Sequence, residues 1–234
     1  MSNPVLVLWL EAPLQSWGDA THLYRRSTYR HPSKTGLWGL VFSAMGRPYG
    51  LEAECRRISG LRVTIYGWQP LSAPFLTDYQ IVGGARGDSP WEKGMEPRSV
   101  EGKVPVGIAG KPFYKEYLEG AKFAALVEIP TEWRAEIEAA MKKPRRVVFF
   151  GRRCCVPSLP PYLGVGENMD EAEKIIARFL EDRSAVLGQH DKHAFLVRDA
   201  LPDDPEESVR FIPDNPLRYG RPGEYGVRSV RVIE

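Results

Sequence analysis

Cysteine is scarce in this chain of 234 residues, and the little there is forms no pattern. Cys55, Cys154 and Cys155 are an odd set with one adjacent pair, which is no disulfide framework, and no CxxC spacing exists for zinc. A reducing compartment suits such thiols. Long hydrophobic runs are missing too. The apolar stretch in MSNPVLVLWLEAP is too short to span a membrane and has no basic residues ahead of it. The expectation is a soluble, cytoplasmic protein with no membrane partner. Also absent are the Walker A loop, the GxSxG elbow, HExxH and the dinucleotide fingerprint, so no cofactor is expected. His190 and His193 flank Asp191 at a spacing that binds metal on a helix, but they precede a strand pattern and no further ligands complete a set. No internal repeat or low-complexity segment stands out.

Net charge is also low, at +2, so distribution has to carry any electrostatic argument. The charges are segregated. From residue 20 to residue 34 lie Arg25, Arg26, Arg30 and Lys34 with two histidines and no acid. From Lys142 to Arg153 lie Lys142, Lys143, Arg145, Arg146, Arg152 and Arg153, again with no acid. Acids gather elsewhere, as at Asp203, Asp204, Glu206 and Glu207. A basic face follows, suited to a polyanion. The competing reading is a solvated basic turn.

The pattern of elements reads as follows. Val5 to Leu10 is a buried strand, followed by a Gln15–Ser16–Trp17–Gly18 loop and an irregular basic segment. Ser33 caps a helix beginning near Thr35, with Leu37, Leu40, Val41, Ala44 and Met45 on its core face and Gly46 at its end. Leu61 to Trp68 alternates as a second strand. Residues 72–120 lose periodicity, with Tyr79–Val82 and Val104–Ala109 as strand candidates; so long a stretch reads as a projecting arm. Ala121 to Ile129 is a strand, Thr131 caps a helix through Met141, and Arg145 to Phe150 is the fourth strand, ended by Gly151. Strand, helix, strand, insertion, strand, helix, strand is the split βαβ, or ferredoxin-like, order of an α+β fold. Residues 1–166 are expected to form this domain. Residues 167–234 add a smaller portion: a helix capped through Asn168 and Glu171, then strands near His193–Arg198, Val209–Ile212 and Tyr225–Ile233.

Several residues bear chemistry for RNA. Arg152 and Arg153 follow the fourth strand directly, and guanidiniums pair bidentately with phosphate. A stiff loop with Pro157, Pro160 and Pro161 then presents Tyr162, on which a base can stack. A metal-free ribonuclease needs a base such as His or Tyr near a cation; Tyr114 with Lys115, and His22 and His31, are the available candidates.

Four segments, in order, resemble one known family: LEAPLQSWG after the first strand, HPSKTGLWGLVFSAMG at the first helix, LTDYQIVGGAR in the insertion and GRRCCVPSLPPYLG after residue 150. They resemble the CasD family, the subunit of the type I-E CRISPR complex Cascade that holds the 5′ handle of the guide RNA. The resemblance is collinear from about Val5 to Gly164 and weaker beyond, where HAFLVRDAL is similar to a late strand of the family. It implies a RAMP-type ferredoxin-like (RRM-like) domain with a thumb-like β-hairpin at about Thr77–Lys115. It implies that the partners are the crRNA 5′ handle, the backbone subunits that the protein caps, and a large subunit, with only indirect contact to target DNA, whose sequence is read by the guide. The implied RNA contacts are Gln15, Trp17 and Gly18 in the first loop, and Lys34 and Thr35 at a helix N-terminus favourable to phosphate. Tyr79, Gly84, Arg86 and Lys115 belong to the thumb. Arg25, Arg26, Arg145, Arg146, Arg152, Arg153 and Tyr162 complete the basic and aromatic set. Trp17 reads equally as a core plug, and Thr35 as a cap. Type I-C relatives cut repeat RNA with a Tyr–Lys–His set whose Lys and His are adjacent. Here the one Lys–His neighbour pair is Lys192–His193, outside the matching region. A non-catalytic binding subunit is therefore expected, with a metal-independent endoribonuclease as the alternative and a protein-facing adaptor as a third reading.

Overall fold

The computed structural model of the protein describes residues 2–18, 24–48, 52–69, 71–82, 111–187, 194–219 and 224–234. Strand β1 (Val5–Glu11) is buried along nearly its whole length. Leu6, Leu8 and Leu10 enter one core, and Val5, Val7 and Trp9 enter a second on the opposite face. That is why the segment is continuously apolar instead of alternating. Four two-residue strands follow: β2 (Leu14–Gln15), β3 (Trp17–Gly18), β4 (Arg25–Arg26) and β5 (Thr28–Tyr29). Next come helix α1 (Lys34–Met45), helix α2 (Glu52–Ile58), β6 (Val63–Gly67), β7 (Leu76–Val82), β8 (Lys111–Glu119) and β9 (Lys122–Glu128). A 3-10 turn (Thr131–Trp133) leads into α3 (Arg134–Lys142). The chain ends with β10 (Tyr162–Gly166), α4 (Met169–Leu187), β11 (Phe195–Asp199), β12 (Val209–Arg218) and β13 (Glu224–Ile233). Among the described residues no helix is long and apolar enough to cross a membrane.

Seven strands form one antiparallel sheet in the order β10-β1-β9-β6-β11-β13-β12. The strands after residue 166 thus extend the sheet begun by the first half. Helices α1 and α3 pack on one face around Leu37, Trp38, Val41 and Ile137; α4 covers the other through Ala172 and Ile176. The caps of α1 are as expected: the Ser33 hydroxyl accepts from Gly36 N–H at 3.2 Å, and Gly46 takes a left-handed conformation at φ 72°. Asn168 likewise caps α4, accepting from Glu171 N–H at 3.0 Å, while the Glu171 carboxylate accepts from Glu167 N–H. Strands β7 and β8 pair from Leu76↔Tyr117 to Val82↔Lys111, so the base of the expected arm is an antiparallel ladder. The expected strand at Val104–Ala109 lies outside the described residues.

Three expectations need correcting. Arg145–Phe150 is not a strand. Val147 is exposed, and only Phe150 is fully buried, so the segment lies across the end of α1 with no alternating buried face. The fourth strand is β10, which pairs with β1 from Val5↔Gly166 to Leu8↔Tyr162. It reads as a loop because of Gly164 and Gly166. Helix α4 requires the second: a Cβ at Gly166 would meet Ala172 N at 2.6 Å, while one at Gly164 would press on the tip of Ile175 at 3.3 Å. Thr131 does not cap a helix with its side chain but opens the 3-10 turn, itself preceded by Pro130. The basic segment expected to be irregular is partly paired, β3 with β5 and β4 in parallel with β8. Helix α2 has no counterpart among the expected elements.

The end of β1 is closed by a tight junction. Ser16 N–H donates to Phe150 C=O at 3.1 Å. At Gly151, φ is +90° and a Cβ would fall 1.5 Å from Ser16 O. Both the conformation and the approach demand glycine. Gly151→Ala is expected to cost about 3 kcal/mol, lowering Tm in a thermal melt by roughly 6–12 °C. Gly18→Ala, where nothing lies within 4 Å of the added carbon, is the control and is expected to melt with the wild type.

Candidate nucleic-acid interface

The junction sets two basic segments against the arm. Arg152 follows Gly151, and its guanidinium donates to Glu116 C=O at 2.9 Å and to Arg26 C=O at 2.8 Å, lying 4.5 Å above the Tyr117 ring. It ties the loop to β8 and β4 at once. Arg26 stands beside Lys115 in the parallel register, and Arg153 is exposed with no side-chain partner among the described residues. Four cations therefore converge at the base of the arm: Arg26, Lys115, Arg152 and Arg153. Lys115 Nζ donates to Gln80 Oε1. Tyr24 joins them, its ring 5.9 Å from that of Phe113 and its C=O accepting from Tyr114 N–H.

The other face of the arm is aromatic. Tyr79 pairs with Tyr114 across β7 and β8, ring centroids 5.1 Å apart, and both rings are largely exposed, as is Ile81. Arg25 bounds this face, held to the buried Glu116 carboxylate at 2.5 Å. Arg30 lies over the Phe75 ring at 4.2 Å. Guanidiniums beside exposed aromatic rings are the usual equipment for single-stranded nucleic acid: charge tracks the backbone and rings stack bases.

The first loop serves a different purpose. Gln15 is fully buried and donates to Leu10 C=O and Ala121 C=O, while its side-chain oxygen accepts from Trp17 Nε1–H. Trp17 is buried and stacked 5.8 Å from Phe150. These two side chains hold the junction from within, so the expectation that they face RNA gives way to the core-plug reading. Only Gly18 of that trio is exposed.

The helix N-terminus is likewise taken. Lys34 N–H donates to Asp214 Oδ2 at 2.8 Å, and Asp214 is clamped by Arg228 through both its oxygens. A carboxylate from β12 thus occupies the place expected for phosphate. Lys34 is 1% exposed and its Nζ donates to Ser59 C=O at 2.7 Å. Thr35 supplies a C=O to the Tyr219 hydroxyl. Arg146 donates to the Arg47 and Gly46 carbonyls at the far end of α1, and Arg145 packs over Gly46. Tyr162 lies against α3, its hydroxyl 3.4 Å from Glu138. Arg145, Arg146 and Tyr162 therefore stand apart from the Arg152–Arg153 cluster, contrary to the single basic stretch read from sequence. Arg86, Gly84, His22, His190 and the Lys192–His193 pair lie outside the described residues. His31 is buried against Tyr29, and burial lowers its pKa. Among the described residues no group of His, Cys, Asp and Glu is placed to hold a metal ion.

The model of the family described as CRISPR-associated protein (Cas_Cas5) matches residues 5–231. The chain belongs to the Cas5 family. It is 28% identical over 209 residues, 83% of this chain and 87% of the relative, to the CRISPR system Cascade subunit CasD of Escherichia coli strain K12. A chain of a solved CRISPR RNA-guided surveillance complex superposes with a TM-score of 0.71 at 22% identity, covering 98% of this chain and 89% of that one. A second solved Cas protein gives 0.61 at 22% identity, covering 97% and 93%. The shared Cas5 fold is thus present across nearly the whole chain.

In this Cas5 chain, sequence reasoning missed Tyr24 and Glu116. Tyr24 stood next to Arg25 in an acid-free run, and Glu116 is the acid that pairs with Arg25, so both were visible in principle once β4 and β8 are known to be neighbours. The buried Lys34 gives a sharp test of the helix N-terminus. Burial pushes its pKa down from 10.5 to about 8. The unfolded chain keeps this proton to higher pH, so the penalty of the buried charge is complete below pH 8 and is relieved as pH rises to 10.5. Relative to Lys34→Met, wild type should therefore gain about 3 kcal/mol between pH 8 and pH 10.5. Urea titrations of both proteins across that window measure it; a constant difference would contradict the assignment.

Proposed function

We propose that the protein is a non-catalytic, RNA-binding subunit of a Cascade-type CRISPR surveillance complex that grips the 5′ handle of the guide RNA at the base of its arm. The observation that carries this reading is the convergence of Arg26, Lys115, Arg152 and Arg153 beside Tyr24, with Tyr79 and Tyr114 exposed on the opposite face of the same two strands, on a chain of the Cas5 family. Phosphates lie along the cations, and Tyr79 and Tyr114 offer faces to unstacked bases. The similarity to CasD supports membership of such a complex, with backbone and large subunits as neighbours and target DNA met only indirectly. The strand order β10-β1-β9-β6, which is fourth, first, third, second in the split βαβ count, supports a ferredoxin-like RAMP domain with β7 and β8 as the base of its thumb. Residues 167–234 are read as an appendage to that domain that lengthens its sheet.

Endoribonuclease activity is the weaker reading. Tyr114 and Lys115 are neighbours on β8, but their side chains leave opposite faces of the strand, with Lys115 directed to Gln80 and Tyr114 to Tyr79. Proton transfer and phosphate stabilisation at one scissile bond need both groups on one side.

Purified chain incubated with end-labelled repeat RNA in EDTA, and run on native and denaturing gels, is expected to shift the RNA and leave it intact. A discrete cut would replace the binding reading with the ribonuclease. Arg152 and Arg153 are expected to separate. Arg153→Ala should melt like wild type, weaken binding several-fold and lower the slope of log affinity against log salt by roughly 0.7, the share of one phosphate. Arg152→Ala should in addition lose stability, by about 1–3 kcal/mol, because two backbone carbonyls lose their donor. An unchanged salt slope in the Arg153 variant would remove that residue from the interface.

A further inference from the structure

A cavity of about 260 Å³ opens between α1 and residues 146–151. Gly39 and Leu40 form its helix side, Val148 and Phe149 the facing wall, and Phe42 and Tyr219 its end, the two rings perpendicular at 5.8 Å. Tyr219 is fixed by its bond to Thr35 C=O at 2.7 Å. The space falls below the roughly 300–1,000 Å³ of clefts for drug-sized ligands, so it suits one planar ring. Its rim is cationic. Arg146 lines it and spends its guanidinium on backbone carbonyls, so its charge is not neutralised, and Arg145 is exposed beside it. Arg47 also lines the cavity; its terminal nitrogens pair with Glu54 and Glu136, so it adds no free charge, but its Nε is buried with no acceptor among the described residues. Gly151 lies in the same wall, one residue from Arg152, so the cavity adjoins the basic cluster at the arm's base.

We propose that this cavity receives one unstacked nucleobase of the bound RNA, with the flanking phosphates on Arg145 and Arg146. The inference rests on the RNA-binding reading and extends it to a defined base subsite. Aromatic and apolar walls accept the ring, as single-stranded RNA is read by splaying bases out of the stack. Base edges carry the ring-nitrogen and carbonyl acceptors that a buried Arg Nε–H lacks here, which an aliphatic side chain from a partner protein does not. The chain runs directly from the cavity wall at Val148, Phe149 and Gly151 into the Arg152–Arg153 loop, so one strand of RNA with a base in the cavity can carry its next phosphates to that loop. The same placement explains why Val148 and Phe149 are only half-buried in the free chain.

Gly39 provides the test. A Cβ there would meet only Tyr219 Cε1, at an ordinary 3.6 Å, so Gly39→Leu fills the cavity while replacing an interior helical glycine with a better helix former. The full-length variant is expected to melt no lower than wild type and to bind end-labelled repeat RNA about tenfold more weakly, the scale of one lost stacked base. An abasic scan of the same RNA should find one position whose loss weakens wild type by a similar factor and does not weaken Gly39→Leu further. Equal affinity of variant and wild type, or an abasic scan with no such redundant position, overturns the subsite while leaving RNA binding intact. Loss of co-purification with other Cascade subunits, at unchanged RNA affinity, overturns it in favour of a protein side chain. Failure of wild type itself to bind the RNA overturns the underlying reading and this one with it.

Discussion

No side-chain atom fits between the Cα of Gly151 and the carbonyl of Ser16, and much of the candidate interface follows from that contact. The two loops leaving the sheet, after β1 and before β10, are pressed backbone to backbone. From below, Gln15 and Trp17 fill the space with a fully paired amide and a ring stacked on Phe150. From above, Arg152 comes off the junction and reaches two carbonyls on β4 and β8. The arm is therefore fastened to the body by hydrogen bonds to backbone, which depend on geometry and not on the identity of the residues in β4 and β8. A guanidinium carries five donors, so Arg152 holds the architecture together and still contributes its charge to the surface.

A second internal arrangement fixes the other end of the molecule. Asp214 links the first turn of α1 to β12 and β13, accepting from Lys34 N–H and pairing with Arg228, which also reaches Asp199. Asp199 accepts from Val63 N–H in turn. One chain of charge-assisted bonds thus joins α1, β6, β11, β12 and β13. Buried pairs of this kind contribute little net stability over a packed apolar alternative, but breaking one partner strands the others. Their effect is on registry, because they align β11, β12 and β13 with α1.

Legibility in the sequence followed burial on one face. The first helix, β1, β6 and β9 were readable because hydrophobic period and caps agree, and α4 because Asn168 and Glu171 mark its start. β10 was hidden because its glycines answer to a helix packed above it, a reason that lies far away in the chain. The Arg145–Phe150 segment misled in the opposite sense: its apolar residues serve a junction and a cavity wall, not a ladder. At the site, sequence found the cations and could not sort them. Lys34 and Arg152 are cations in basic runs just as Arg153 is, and only the fold shows that one is buried beneath a turn, one is spent on carbonyls and one is free of partners among the described residues. The pairing of Arg25 with Glu116 depends on a parallel bridge of two residues, which no local pattern announces.

Among the described residues, strand β12 lies at one open edge of the sheet and is broken by register shifts near Asn215 and Pro216. Pro213 and Pro216 have no amide proton to offer a newcomer, and the shifts bend the strand away from a straight template. Phe211, on the same strand, is 72% exposed, a combination of hydrophobe and unpaired edge that ordinarily invites fibrils. Here the prolines work as a guard against self-templating. This border lets the chain stay solitary without hiding its apolar surface.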